Sequence, residues 1–339
     1  MEIVYVTYIR SSSYNNYDFC QQQYFINYVL GYPSGSSKKA EMGTIVHKVM
    51  ECLARSKKAV QDNKKSYKDD ALGRIRITKD KMLSSKYVDS LIDKSYEHYV
   101  SESSHKYAPR DYKDCVKWSH AALEFNKGQF DPRNRNVIAP EPHFDIEIRE
   151  PWARYDYTMP DGSEVNGYLA IKGTIDLVTE VSDGVMEAVD WKTGRRIDWA
   201  TGQEKDYDKL SKDPQLLLYH YALSHLFPNY EQTIMTIFYI RDGGPFSLCF
   251  DESDKKLFLD MLKNRFEEIK NNQSPELLSS EHKHWKCTKL CHYYKNNWQG
   301  TNKPMCSHVR DEINKNGINQ TVDECTKEGF TLGYYSAPG

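Results

Sequence analysis

The sequence predicts an α/β fold, with helices packed on a central sheet. Three observations carry that expectation. From residue 140 onward, short segments rich in branched residues alternate with helix-patterned ones, as they do in layered α/β folds. Aromatic residues make up 13% of the chain, 25 of them Tyr, a load that excludes a disordered polypeptide. The 339 residues also exceed the usual domain of about 100–200 residues, so a large core with insertions is expected.

Taken in order, YDFCQQQYFINYVL (17–30) predicts a helix with apolar residues three and four apart. GYPSGSSKK follows as a loop. MGTIVHKVMECLA predicts a second helix, with Thr44 as its N-cap and Val46, Met50, Leu53 and Ala54 as its apolar face. Residues 56–130 are rich in Lys, Tyr and Ser and read as a helical insertion capping the core. HFDIEIRE, YLAIKGTIDLVTE and VMEAVDWKT predict three strands. DYDKLSKDPQLLLYHYALSHLF predicts one amphipathic helix, and TIMTIFYIRDGGPFSLCF a strand pair around an RDGGP turn. DESDKKLFLDMLKNRFEEIK predicts a helix whose acidic start suits its dipole. No internal repeat is visible.

The net charge of −2 is uninformative, but its distribution is not. Residues 48–130 carry 18 Lys/Arg against 12 Asp/Glu, and residues 282–310 carry six Lys/Arg and no carboxylate. Local basic ground suits contact with phosphates, or else a solvated Lys-rich face. There is no run of about 18 apolar residues, so no membrane partner is expected. The N-terminus lacks a basic region followed by a cleavage site, which predicts a cytoplasmic protein. Eight cysteines in a long chain of that kind suggest metal or catalysis rather than disulfides.

The segment GTIDLV…AVDWKTGRR carries the chemistry. Residues two apart in a strand share a face, so Asp190 and Lys192 project together, and Asp176 on a neighbouring strand can bring a second carboxylate. Two carboxylates offer hard oxygen ligands to Mg²⁺ or Mn²⁺. A lysine beside them can orient and help deprotonate a metal-bound water, or hold a scissile phosphate. Alone, an Asp-x-Lys reads as an ion pair at a strand end.

It is not alone. The chain resembles the PD-(D/E)XK nucleases, and within them the RecB-like branch, at five points in order. GTIVHKVME resembles the helix-borne histidine motif, which implies His47 as a metal ligand. GTIDLV resembles the first acidic motif (Asp176), VDWKTG the Asp/Glu-x-Lys motif (Asp190 and Lys192), and DPQLLLYHYAL the Gln-x3-Tyr motif (Gln215 and Tyr219). Those last two are four apart and share a helix face. Glu141 matches a further acidic position. The fifth point is the cysteines. YDFCQQQYFINYVLG resembles the N-terminal cysteine segment of AddB-type nuclease subunits and CRISPR-associated RecB-like exonucleases. KCTKLCHYYKNNWQGTNKPMCSH resembles their C-terminal cysteines. The resemblance implies a [4Fe–4S] cluster on Cys20, Cys287, Cys291 and Cys306, although the gaps of three and 14 residues depart from the relatives' pattern. A zinc ion on Cys287, Cys291, Cys306 and His308 or His292 is the alternative. Cys52, Cys115, Cys249 and Cys325 read as small core residues.

The resemblance thus implies a PD-(D/E)XK nuclease core, a central mixed sheet flanked by helices. Residues 1–339 would form one nuclease domain, with a helical insertion at 56–130 and the catalytic core at 131–280. A cysteine-pinned C-terminal lobe at 281–339 would be closed by Cys20. It implies a metal-dependent DNA exonuclease acting on single strands or duplex ends in recombination, repair or spacer acquisition. His47, Asp176, Asp190 and the Trp191 carbonyl would hold Mg²⁺ or Mn²⁺, and Gln215 and Tyr219 would order Lys192 and the DNA backbone. The alternatives are a structure-specific endonuclease and a DNA-binding assembly subunit of a recombination complex. The phosphate-binding motif of helicases is missing, so a helicase or recombination protein would be a partner. Lys283, Lys286, Lys289, Trp285 and Tyr293 interleave cations with rings, as in a nucleic-acid track or in a small lobe with its own aromatic core.

Overall fold

The computed structural model describes residues 4–159, 161–198, 202–278 and 284–332. The chain opens with a short strand, β1 (Tyr8–Ile9), and then the helix expected over 17–30 divides. It forms α1 (Ser11–Phe19), α2 (Gln21–Tyr24) and a π-helical turn (Phe25–Val29). Cys20 is the break, an extended residue that closes α1 and opens α2. The next helix, α3 (Lys38–Gln61), starts at Lys38 rather than after Thr44 because Ser37 Oγ accepts from the Ala40 N–H and caps it.

The insertion is not wholly helical. A hairpin of β2 (Ser66–Asp69) and β3 (Gly73–Arg76) precedes α4 (Lys79–Leu83), α5 (Ser85–Glu102) and α6 (Pro109–Glu124). Seven strands follow: β4 (Asn136–Pro140), β5 (His143–Glu147), β6 (Arg154–Thr158), β7 (Glu164–Tyr168), β8 (Ala170–Thr174), β9 (Leu177–Ser182) and β10 (Val185–Lys192). YLAIKGTIDLVTE is therefore two strands, not one. It breaks at Ile175–Asp176, where the chain passes from one sheet to another.

The long helix expected after residue 206 is likewise split into α7 (Tyr207–Leu210) and α8 (Pro214–Leu226). Pro214 cannot donate to a preceding turn and instead starts the second helix. The chain ends with β11 (Gln232–Tyr239), β12 (Gly244–Phe250), α9 (Glu252–Lys270), α10 (Trp285–Lys289), α11 (His292–Lys295) and α12 (Met305–Cys325).

The main sheet is mixed, in the order β12-β11-β10-β9-β4, with β10 and β11 parallel and the other pairs antiparallel. A smaller sheet runs β1-β8-β5, and β6-β7 is a separate hairpin. Along β10, alternate residues enter two cores. Met186 and Ala188 pack with α8 and α9, whereas Val189 and Trp191 pack with α3, α5 and α6. The helix α8 is buried through Leu216, Leu217, Leu218, Ala222 and Leu223, so it is apolar on most sides rather than amphipathic. Each of those leucines contributes about 1.5–3 kcal/mol by leaving water. The end of β10 is thus gripped from both faces, and the candidate site sits there.

Candidate active site

The face of β10 that carries Ala188 also carries Asp190 and Lys192. Their ion pair closes at 2.7 Å between Lys192 Nζ and Asp190 Oδ2. The β9–β10 register sets Val189 opposite Leu177, which brings Asp176 alongside the end of β10. There the Trp191 N–H donates to Asp176 Oδ2 at 2.8 Å. From the other side α3 supplies His47, whose Nδ1 lies 3.3 Å from Asp176 Oδ2. The helix can approach so closely because residue 43 is glycine: a Cβ there would stand 2.7 Å from Thr193 Oγ1.

The fourth side is α8. Asp213 caps it, accepting from the Gln215 N–H at 2.9 Å, and this sets the direction of the Gln215 side chain. Gln215 Nε2 donates to Asp190 Oδ1 at 3.0 Å and to the Tyr219 hydroxyl at 2.9 Å. Gln215 acts on Asp190, and reaches Lys192 only through that carboxylate.

The two aspartates differ in electrostatic state. Burial pushes Asp190 up to about 6, aided by the charge of Asp176 and opposed by Lys192. Burial also works to raise Asp176, but His47, Lys192 and the Trp191 N–H outweigh it and hold it below the ordinary carboxylate value. Burial opposes the charge on Lys192, yet Asp190 outweighs it and keeps the ammonium protonated. His47 is likewise raised by Asp176 against its own burial. Neighbouring groups pushed apart in this way are common where acid–base or metal chemistry is done.

A layer behind the site was only partly legible. Glu141 adopts a positive φ of 50° and donates its N–H to the Asp176 carbonyl at 3.1 Å. Arg55 spans Glu141 at 3.3 Å and Glu51 at 2.5 Å, while Lys48 joins Glu51 at 2.5 Å to Asp69 at 3.3 Å. Burial and the neighbouring Glu51 push Glu141 up to about 7. Glu51, Arg55 and Lys48 were missed. The available clue was spacing, since His47, Glu51 and Arg55 recur every fourth residue and form one stripe of α3.

The donor set suits a divalent cation. Among the described residues no three His, Cys, Asp or Glu side chains stand as a ready-made metal site. His47, Asp176, Asp190 and the Trp191 carbonyl nevertheless offer nitrogen and oxygen donors of the kind Mg²⁺ or Mn²⁺ accepts. The crowding of Asp190 by Asp176 is a further fit, because a cation would relieve it.

The cysteines come from opposite ends of the chain. Cys20 lies between α1 and α2, Cys287 in α10, Cys291 at the cap of α11 and Cys306 in the first turn of α12. Burial pushes Cys291 up to about 11 and Cys306 up to about 12, and both are raised further by the charges of Cys20 and Cys287. Cys287 in turn is raised by burial and by Cys20. Cys287, Cys291 and Cys306 thus each feel the charge of Cys20, but among the described residues these thiols do not stand as a ready-made metal site. His308 is instead stacked on Trp298, with ring centroids 4.6 Å apart. Cys52, Cys115 and Cys325 are buried as expected, whereas Cys249 is exposed.

The expected aromatic–cationic track is only partly present as surface. Trp285 and Lys289 are exposed. Tyr293 is buried, donating its hydroxyl to the Tyr32 carbonyl, and Lys286 is buried with Nζ 5.3 Å from the Phe19 ring centroid. These two support the lobe and do not face solvent. Lys283 lies outside the described residues.

A mixed sheet flanked by helices, with an Asp-x-Lys at a strand end facing a second aspartate, is the architecture of a metal-dependent nuclease. The signature of the PD-(D/E)XK nuclease superfamily matches residues 11–296, and the chain belongs to that superfamily. No curated protein matches it. Family membership carries with it a divalent metal and a DNA substrate. Among the described residues no helix is long and apolar enough to cross a membrane.

Proposed function

We propose that the protein is a DNA exonuclease of the RecB-like iron–sulfur type, acting on single strands or duplex ends. The observation that supports this reading best is the convergence of His47, Asp176, Asp190, Lys192, Gln215 and Tyr219 on one strand end. Bound Mg²⁺ or Mn²⁺ supplies Lewis acidity and a readily ionised water. His47, Asp176, Asp190 and the Trp191 carbonyl would hold it. In the metal-free protein Asp190 holds Lys192 as a cation. Lys192 positions or helps activate the attacking water, or stabilises charge building on the phosphate. Gln215 fixes Asp190 by hydrogen bonding, and Tyr219 anchors Gln215.

The iron–sulfur part rests on the resemblance of the segments carrying Cys20, Cys287, Cys291 and Cys306 to cluster-binding ones, a set that matches the cluster's ligand count without a histidine. The test is cleavage of end-labelled DNA, linear and circular, with Mg²⁺ or Mn²⁺. Mononucleotide release from linear substrates alone is the expected result. Cutting of a circle would assign an endonuclease on the same site.

A further inference from the structure

We infer that the insertion carries a second nucleic-acid contact, a basic groove that grips the phosphate backbone away from the catalytic strand end. The groove, of about 240 Å³, lies between the β2–β3 hairpin and α5. Arg74, Arg76, Lys81, Lys86 and Lys94 line it, and its lining contains no carboxylate.

The charge is built in by the local structure. In β3, Arg74 and Arg76 are two apart and share the outer face, while Ile75 between them is buried. In α5, Lys86, Ser90 and Lys94 form a stripe with a four-residue step. Two acids of that helix are engaged elsewhere: Asp89 meets His120 at 3.4 Å and Asp93 accepts from Tyr112 at 2.6 Å. Lys81 is fixed in place, donating to the Arg76 carbonyl at 2.7 Å with its Nζ 5.3 Å from the Tyr87 ring centroid. Among the described residues, none of the five is ion-paired.

An independent observation points to an anionic ligand. Lys68 stands directly across the hairpin from Arg74, on the same face. Like charges directly opposite destabilise a strand pair, and the hairpin's Asp69 is committed to Lys48. An external polyanion compensates those like charges. The partner is a nucleic-acid backbone, a reading that rests on the nuclease assignment and on charge complementarity. The groove is also tied to the catalytic helix, because Asp69 at the end of β2 pairs with Lys48, the neighbour of His47.

The test compares the full chain with R74Q/R76Q/K86Q/K94Q by fluorescence anisotropy. The probe is a labelled single strand of about 30 nucleotides, held in EDTA so that nothing is cut, at several salt concentrations. The expected result is a Kd raised about tenfold or more and a salt slope shallower by about two to three, near 0.7 per lost phosphate contact. Cleavage of an oligomer too short to span both sites, and the melting temperature, should stay unchanged. R74K/R76K/K86R/K94R should bind as the parent does, and R74Q/R76Q serves if the fourfold variant folds poorly. Unchanged Kd and slope overturn the groove. So does a loss confined to anionic lipid vesicles, which would make the surface a membrane contact. A parent that binds DNA through the groove yet cuts no DNA would uphold the groove and remove the nuclease reading instead.

Discussion

Gln215 Nε2 lies 3.0 Å from Asp190 Oδ1 and 2.9 Å from the Tyr219 hydroxyl, so one amide fixes a buried carboxylate against a buried phenol. The carboxylate has no freedom to turn away from the strand end. Gln215→Ala should therefore lower kcat by about 10–100-fold, the usual cost of losing a partner that orients a metal ligand. Tyr219→Phe keeps the ring and the Gln215–Asp190 bond, so its loss should be smaller. Steady-state rates at saturating Mn²⁺ distinguish the two; equal losses would mean that Tyr219 acts directly on the substrate.

Asp190→Ala or Lys192→Ala should reduce cleavage by several orders of magnitude while DNA binding persists. The reason is that the transition state loses its metal in one variant and its water-orienting charge in the other. Lys192 is held as a cation by Asp190 2.7 Å away, so the two losses should be far from additive in the double variant. Single-turnover cleavage together with a binding isotherm measures both. Undiminished cleavage in either single variant would sink the site.

His47→Ala should shift the half-saturating Mn²⁺ concentration upward. His47 contacts Asp176 at 3.3 Å and sits on the polar stripe of α3 rather than in its apolar core. A variant that melts earlier but keeps its metal response would make His47 a packing residue.

Metal stabilisation should depend on pH. Asp190 is raised from 3.8 to about 6, and a raised acid contributes stability that is complete below its unfolded value and lost as pH climbs through the folded one. Metal-free protein accordingly loses this contribution between about pH 4 and pH 6. A cation binding the ionised carboxylate makes up the loss only above that window. The raised His47 acts in the same direction, because it must shed its proton to bind metal. Asp176 is held below 3.8, so its stabilisation is already complete across the range and does not interfere. The rise in melting temperature on adding Mn²⁺ should be larger at pH 7 than at pH 5, and Asp190→Asn should flatten the difference. Equal shifts at the two pH values would contradict the assignment.

The site was legible in the sequence because its chemistry rests on local geometry. Asp190 and Lys192 share a face by strand period, and Gln215 and Tyr219 share one by helix period. What the sequence did not display were the breaks. Asp176 reads as the middle of one apolar strand, yet it lies where the chain changes sheets, a choice made by pairing with β10 and not by residue type. Cys20 reads as helical by its neighbours, yet it is extended between two helices, which lets its thiol approach residues at the far end of the chain. The β2–β3 hairpin was hidden because its outer face is Lys and Arg, with only Ile75 fully committed to the core.

Cys20→Ser tests the cluster and the closure of the fold together. The four thiols are raised by burial and, at Cys306, by the charges of the other three. A set of thiolates in such surroundings repels itself unless iron neutralises it, so cluster binding becomes folding free energy. Linking a residue near the start of the chain to the C-terminal helices also closes a long loop, which constrains the unfolded chain strongly. Anaerobically purified protein should be brown, absorb near 400 nm and hold about four irons per chain. Cys20→Ser should lose that iron and lower the melting temperature of the whole chain, whereas Cys115→Ser, buried in the insertion core, should keep the iron. A colourless protein with one zinc that Cys20→Ser leaves in place would assign the metal to Cys287, Cys291 and Cys306 with a histidine. It would also leave Cys20 as a packing residue at a helix break.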